Sequence, residues 1–267
     1  MSFIDLHAHL LPHWDDGSDS WKTTMEMLRQ GAADGISQVV CTPHVMSKKD
    51  LDEESTIIKL YNELLQRAAA EHLDIRLHLG AELFIQPDID FSRRIATYGG
   101  NRRYFLVEFP MNLIPDFVAK TFFDCLLEEH IPVVAHPERY ARILADSSKA
   151  FDFVERGALL QINAGSLLGT FGQNVRATAI TLLDHQLAAV VSSDAHDVKM
   201  RPLKLKAAFQ FVCDRWGSEQ AQRLFVDNPR RILAGEEVTV EPIRPAEGPQ
   251  DATEKFKSLL RKVGIKK

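Results

Sequence analysis

Cysteine is scarce in this 267-residue chain: three residues, Cys41, Cys125 and Cys213, with no CxxC pair. An odd set with no paired spacing makes no disulfide framework and fits a reducing cytosol. None of the three has the arginine six positions on that a thiolate-based phosphate loop requires; those positions hold Ser47, Ile131 and Glu219. No GxxxxGK[ST] string occurs, which excludes a P-loop nucleotide site. No apolar run approaches a membrane span. The opening MSFIDLHAHLL has no basic n-region, so it does not read as a signal peptide. A net charge of −5 argues against nonspecific nucleic-acid binding by the whole body, and no nucleic-acid partner is expected. With 45% hydrophobic and 26% charged residues, the composition is that of one large globular core.

What the chain has is a repeated placement of metal-binding side chains. His7, His9, His44, Glu82, Glu108, His136, Asp194 and His196 each fall at or just past the end of a short apolar run. The runs read IDLHAH, SQVVCTPH, IRLHLGAE, YFLVEF, PVVAHPER and AAVVSSDAH. If each is a buried parallel strand, all eight side chains emerge at one rim. Active sites of β/α barrels are built at that C-terminal rim. HxH at the end of a strand puts two imidazoles on one face, because strand side chains alternate with period two. DAH repeats that spacing with Asp194 and His196. Asp15 and Asp16 precede Gly17 in a turn able to fold back over the rim. A single buried histidine is usually a hydrogen-bonded core residue, but eight such residues at six strand ends are not produced by scatter. With no sulfur among them, they suit Mn, Fe or Zn. His13 and Asp15 read as solvated loop residues. His72, His130 and His185 fall near expected helix C-termini, and His78 reads as structural.

Helical patterns separate the strands. Trp21, Met25, Leu28 and Ala32 recur at helical spacing behind Ser18 or Ser20 as N-cap. Further helices are expected over 54–73, 119–129, 140–154, 175–185, 202–216 and 218–226, with strand six at ALLQINA and a last turn at NPRRIL. Residues 85–103 read as a long rim loop with a short helix. Regular βα alternation predicts a parallel sheet with helices outside. Ligand-type residues at nearly every strand end favour a closed barrel over an open sheet, which gathers its ligands at a switch point. The barrel is expected to end at 236. Residues 237–250 contain three prolines and read as a linker. Residues 251–267 form an amphipathic basic tail with six basic and two acidic side chains, a candidate for weak membrane-surface contact.

Taken together, LHAHLLPHWDDGS, CTPH, GAE, LVEFP, VVAHPERY and SSDAHDVKMRP resemble the PHP (polymerase and histidinol phosphatase) superfamily. The branch they are most similar to is the CpsB/CapC type of metal-dependent bacterial protein-tyrosine phosphatase. The resemblance runs from about residue 3 to about residue 235. It implies a distorted (β/α)7 barrel, TIM-barrel-like, holding three divalent ions, Mn above all with Fe or Zn as alternatives. It assigns His7, His9, Glu108 and Asp194 to one ion, and Asp16, His44, Glu82, His136 and His196 to the others, with Glu108 bridging. It gives Arg139 and Arg201 to the substrate phosphate and to catalysis. The implied reaction is in-line attack on phosphorus by a hydroxide held between cations. The implied partner is the phosphotyrosine tail of a bacterial membrane tyrosine kinase controlling capsule or exopolysaccharide synthesis, met in the cytoplasm. A small-molecule phosphomonoesterase, such as a histidinol-phosphate phosphatase, is the alternative on the same barrel, because function lives in the rim loops. A carbon–nitrogen amidohydrolase and an inactive scaffold are the more distant alternatives.

Overall fold

The computed structural model describes residues 2–244. The basic tail expected at 251–267 lies outside the described residues.

Among the described residues, nine parallel strands make seven staves. The first is β1 (Phe3–Ala8). The second is β2 (Ile36–Cys41) continued by β3 (His44–Val45), broken where Pro43 has no N–H to give. The third is β4 (Arg76–Leu79) continued by β5 (Glu82–Phe84). Then follow β6 (Tyr104–Glu108), β7 (Ile131–Ala135), β8 (Leu159–Asn163) and β9 (Ala188–Ser192). One sheet runs β1-β2-β4 and the other β3-β5-β6-β7-β8-β9, so the two broken staves pass from sheet to sheet. The ring closes between first and last staves. A parallel bridge pairs Ala8 with Ala195, the Asp194 amide donates to His7 O at 2.9 Å, and the His9 amide donates to Ala195 O at 2.8 Å. The expected distorted (β/α)7 barrel is therefore the architecture.

Helices cover the outside. Ser20 caps α1 (Trp21–Asp34) by accepting from the Thr23 amide, and Met25 and Leu28 are buried beneath it. A short α2 (Lys48–Asp52), absent from the sequence reading, precedes α3 (Glu54–Ala70), which buries Ile57, Tyr61, Leu64 and Ala68. Next come α4 (Val118–Leu127), α5 (Ala141–Ala145) and α6 (Lys149–Glu155). The single helix expected at 140–154 is cut in two because Asp146 accepts from the Ser148 amide and hydroxyl in a tight local turn. Then follow α7 (Ala164–Leu168), α8 (Gln173–Asp184), α9 (Lys206–Trp216), α10 (Ser218–Gln222) and, after a π turn, α11 (Asn228–Ala234).

Alternation along the strands sorts the barrel interior by height. Tyr104, Leu106, Val133, Ala135 and Leu159 share an apolar interior cluster with Ile4 and Leu6. Their outward neighbours Phe105, Val107, Val134 and Leu160 pack in the larger shell against the helices. The same inward positions, continued upward, hold Glu108, Gln161 and Asn163, all buried. The lower barrel is dry and the upper barrel polar. Residues 85–103 do not stay at the rim as expected: two 3-10 turns, Arg94–Ala96 and Tyr98–Gly100, carry Tyr98 into the dry cluster. Below, the segment read as linker is anchored as far as it is described. The Val238 amide donates to the Tyr104 hydroxyl, and the Ile243 amide donates to His185 O.

Candidate metal centre

Every expected ligand reaches one polar basin at the C-terminal ends of the staves. His7 Nε2 and His9 Nε2 stand 3.1 Å apart. Both face Glu82 Oε2, at 3.1 and 3.3 Å, and Asp194 Oδ1, at 3.3 and 3.6 Å. His44 Nδ1 lies 3.1 Å from Glu108 Oε1 and 3.3 Å from Glu82 Oε2. His136 Nε2 lies 3.0 Å from Glu82 Oε1. Asp16 Oδ1 lies 3.3 Å from His44 Nε2 and 3.4 Å from His196 Nε2. His7, His9, Glu82, Glu108, His136, Asp194 and His196 are all buried.

Two of these residues are bent into place by backbone that side chains rarely adopt. His136 and Asp194 have φ of 35° and 54°, in the left-handed region. His136 does so immediately before Pro137, which makes that conformation less favourable still. Left-handed non-glycine residues that cluster at one place mark a site where local strain is held by the surroundings.

The tautomers follow from a relay that the sequence reading missed. Asp194 can only accept, so Asn163 Nδ2 donates to its Oδ2 at 2.5 Å. Asn163 Oδ1 then accepts from Gln161 Nε2 at 2.8 Å, and Gln161 Oε1 accepts from His7 Nδ1 at 2.8 Å. His7 Nε2 is left as a lone pair aimed into the basin. Asp15 does the same for His9: its Oδ2 accepts from His9 Nδ1 at 2.9 Å and from the His44 amide at 2.9 Å. Asp15 is thus not the solvated loop residue expected; its side chain is 5% exposed. His13 is exposed, as expected of a loop. His78 bonds to Gln38, His130 stacks on Phe91, and His185 bonds to Ile243 O, all away from the basin.

The basin is therefore lined by acceptors facing acceptors. Two imidazole lone pairs and two carboxylate oxygens converge, and Asp194 Oδ1 and His44 Nδ1 have no hydrogen-bond partner although buried. Such an arrangement needs positive charge between its members. The titration shifts say the same. Burial opposes protonation of His9, yet Asp15 and Glu82 push it up to about 9. Burial likewise opposes protonation of His44, yet Asp16 and Glu108 push it up to about 11. Glu82 is held well below the usual carboxylate range; burial opposes this, and His7, His136 and His9 outweigh it. The residues fit divalent cations. Three overlapping sets have ligand atoms within 4.8 Å of one another: His7, His9 and Asp194; His9, Asp16, His44 and His196; His44, Glu82 and Glu108. Glu108 falls with His44 and Glu82, on one side of the bridging place that the resemblance implies for it.

The two expected arginines stand beside this basin. Arg139 Nη1 is 3.1 Å and Arg201 Nη2 2.6 Å from Asp194 Oδ2. One Asp194 oxygen thus faces the imidazoles while the other anchors both guanidiniums. Cys41 and Cys125 take no part: both are buried, and burial holds the Cys125 thiol up at about 12.

The family profile described as capsular polysaccharide synthesis, CpsB/CapC, matches residues 3–234. The chain belongs to the CpsB/CapC family. Among relatives of the CpsB/CapC chain, the tyrosine-protein phosphatase YwqE of Bacillus subtilis is 32% identical over 244 residues, 91% of this chain and 96% of that protein. The putative tyrosine-protein phosphatase CapC of Staphylococcus aureus is 34% identical, covering 88% and 93%. A solved structure from work on YwqE and the Streptococcus pneumoniae CpsB, described as metal-dependent tyrosine phosphatases, superposes with a TM-score of 0.85 at 30% identity. It covers 92% of this chain and 100% of that one. A β-aspartyl dipeptidase of Fervidobacterium islandicum, at 13% identity and TM-score 0.51, shares the fold alone.

Proposed function

We infer that this CpsB/CapC chain is a metal-dependent protein-tyrosine phosphatase. The observation that carries the reading is Asp194, one oxygen in the acceptor-lined basin and the other holding two guanidiniums. Three divalent cations, one per ligand set, match the basin, and Mn suits its nitrogen and oxygen donors. His7, His9, Asp16, His44, Glu82, Glu108, His136, Asp194 and His196 would hold them. Bound cations supply Lewis acidity and acidify a water for in-line attack on a phosphoryl group.

The chain's own residues do the rest. Gln161 and Asp15 keep His7 and His9 in the ligating tautomer at no cost in charge to the imidazole lone pairs. Arg139 and Arg201 bind the non-bridging oxygens and stabilise the charge spread over them in the transition state. A phenolate leaving group, with a pKa near about 10, departs with less protonation than an alkoxide needs. The loops after β3, β6 and β9, which leave the same end of the barrel as the basin, carry exposed Met46, Met111, Leu113 and Met200. Exposed apolar side chains at that end of the barrel suit an aryl phosphate on a polypeptide better than a small polar phosphate. The phosphotyrosine tail of a membrane tyrosine kinase, met in the cytoplasm, is the substrate proposed. Among the described residues no helix is long and apolar enough to cross a membrane.

The test is phosphate release by the Mn-loaded chain from phosphotyrosyl peptide, phosphoseryl peptide and histidinol phosphate. The phosphotyrosyl peptide should be turned over fastest, and chelation should abolish turnover of all three. Preference for histidinol phosphate would move the reading to the small-molecule alternative.

A further inference from the structure

The loop after α7 holds a residue that neither the metal set nor the phosphate clamp uses. Phe171 places its ring against both arginines: Arg139 Cζ stands 4.5 Å from the ring centroid and Arg201 Cζ 6.0 Å. The loop is built to put it there. Gly169 and Gly172 flank it with φ of 90° and 92°, conformations that an L side chain rarely adopts. The Thr170 amide donates to Gly165 O and the Gly172 amide to Gly169 O. The ring rests over Gly165, where an added Cβ would come within 3.3 Å of it.

The chemistry of the contact is unlike that of the other partner. Asp194 Oδ2 takes a hydrogen bond from Arg139, forms an ion pair with Arg201, and offsets the charge of both. A phenyl face attracts a cation through its quadrupole but accepts no conventional hydrogen bond and carries no charge. It fixes the planes of the two guanidiniums and leaves their remaining N–H groups free for an anion. Arg201 Nε is buried with no hydrogen-bond partner, as expected of a donor held ready for one.

We propose that Phe171 is a positioning residue that sets both guanidiniums for the phosphoryl group. This rests on the reading of Arg139 and Arg201 as the phosphate clamp. Phe171 acts through the arginines and does not touch the substrate ring.

The experiment uses the Mn-loaded chain with Phe171→Leu, which keeps an apolar side chain and removes the quadrupole, and Phe171→Trp, which keeps an aromatic face. Metal content, the inhibition constant of inorganic phosphate, and kcat/KM on an aryl and an alkyl phosphate are measured. Phe171→Leu should weaken phosphate inhibition and lower kcat/KM by about tenfold, the scale of two cation–π contacts. The loss should be equal for both substrates at unchanged metal content, and Phe171→Trp should recover most of it. On an Arg139→Ala, Arg201→Ala background Phe171→Leu should cost nothing more. Three results would overturn the proposal: wild-type behaviour of Phe171→Leu, a loss confined to the aryl phosphate, or no recovery with Phe171→Trp. If the arginine variants themselves leave phosphate inhibition and kcat/KM unchanged, the clamp reading has failed. If they lose both while Phe171→Leu does not, only the role of Phe171 has.

Discussion

Histidines 9 and 44 show how strongly this basin demands positive charge. In the metal-free protein their pKa values, about 9 and about 11, lie above the roughly 6.5 of free imidazole. The folded state therefore binds their protons more tightly than the unfolded chain. The stability this contributes is complete below about pH 6.5 and is lost as pH rises through 9 towards 11. A divalent cation at these imidazoles would replace those protons, and its binding would be favoured by the same rise in pH. The Tm of the chelated protein should fall between pH 7 and 9.5 while that of the Mn-loaded protein holds, so the gap widens with pH. A chelated protein with a flat Tm over that range would contradict the assignment of these imidazoles. Eight of the nine ligand-type residues were legible because each sits at a strand end in an apolar run; the ninth, Asp16, was legible from the DDG motif. Asp15, Gln161 and Asn163 were not, because each acts through another residue. The signal for Gln161 and Asn163 was present in ALLQINA: two amides two apart in an otherwise apolar strand share a face that must be polar.

Elements place these side chains with little slack, and the DDG turn shows the tolerance. An added Cβ on Gly17 would lie 2.4 Å from His9 Cβ and 2.6 Å from His9 O. Glycine is required here by close approach, since the turn lies directly on the strand end that carries His9. Asp15, two residues earlier, accepts from the Gly17 amide and holds His9 Nδ1 through its other oxygen. Gly17→Ala must push the turn off the rim and withdraw both Asp15 and Asp16. Overpacking of this kind costs about 1–3 kcal/mol in stability. Loss of the Asp15 bond should weaken metal affinity by roughly 10–100-fold, the usual range for a residue that orients a ligand. Mn titration of the purified variant measures it; wild-type affinity would show the turn free to shift. At this scale the strands and α1 were legible from periodicity, whereas the breaks were not. Asp146 splits one helix through its side chain, and the 85–103 segment leaves the rim because Tyr98 is drawn into the dry interior. Both depend on tertiary partners that a local pattern does not contain.

The whole molecule joins its ends at the site. Candidate ligands come from β1 and the turn after it, from β3, β5 and β6, and from the turns after β7 and β9; the sixth stave, β8, supplies the amide relay. The seam of the barrel, where β1 meets β9, holds His7, His9, Asp194 and His196. That seam has an isolated bridge in place of a full ladder, so backbone pairing alone closes it weakly. A cation held by His7, His9 and Asp194 would join residues far apart in sequence and would act as a staple on the closed ring. Binding that is confined to the folded state stabilises it by RT ln(1 + [L]/Kd), about 4 kcal/mol at a thousandfold excess over Kd. The local consequence differs from the global one. Chelation should raise hydrogen exchange most at the ends of β1 and β9 and in the 193–196 turn, whose amides bridge the seam. The buried face of α3, on the outer shell, should change only as much as global stability does. Exchange measured with and without Mn2+ separates the two. A uniform change across β1, β9 and α3 would mean that the barrel closes without its metals and that the cations serve chemistry alone.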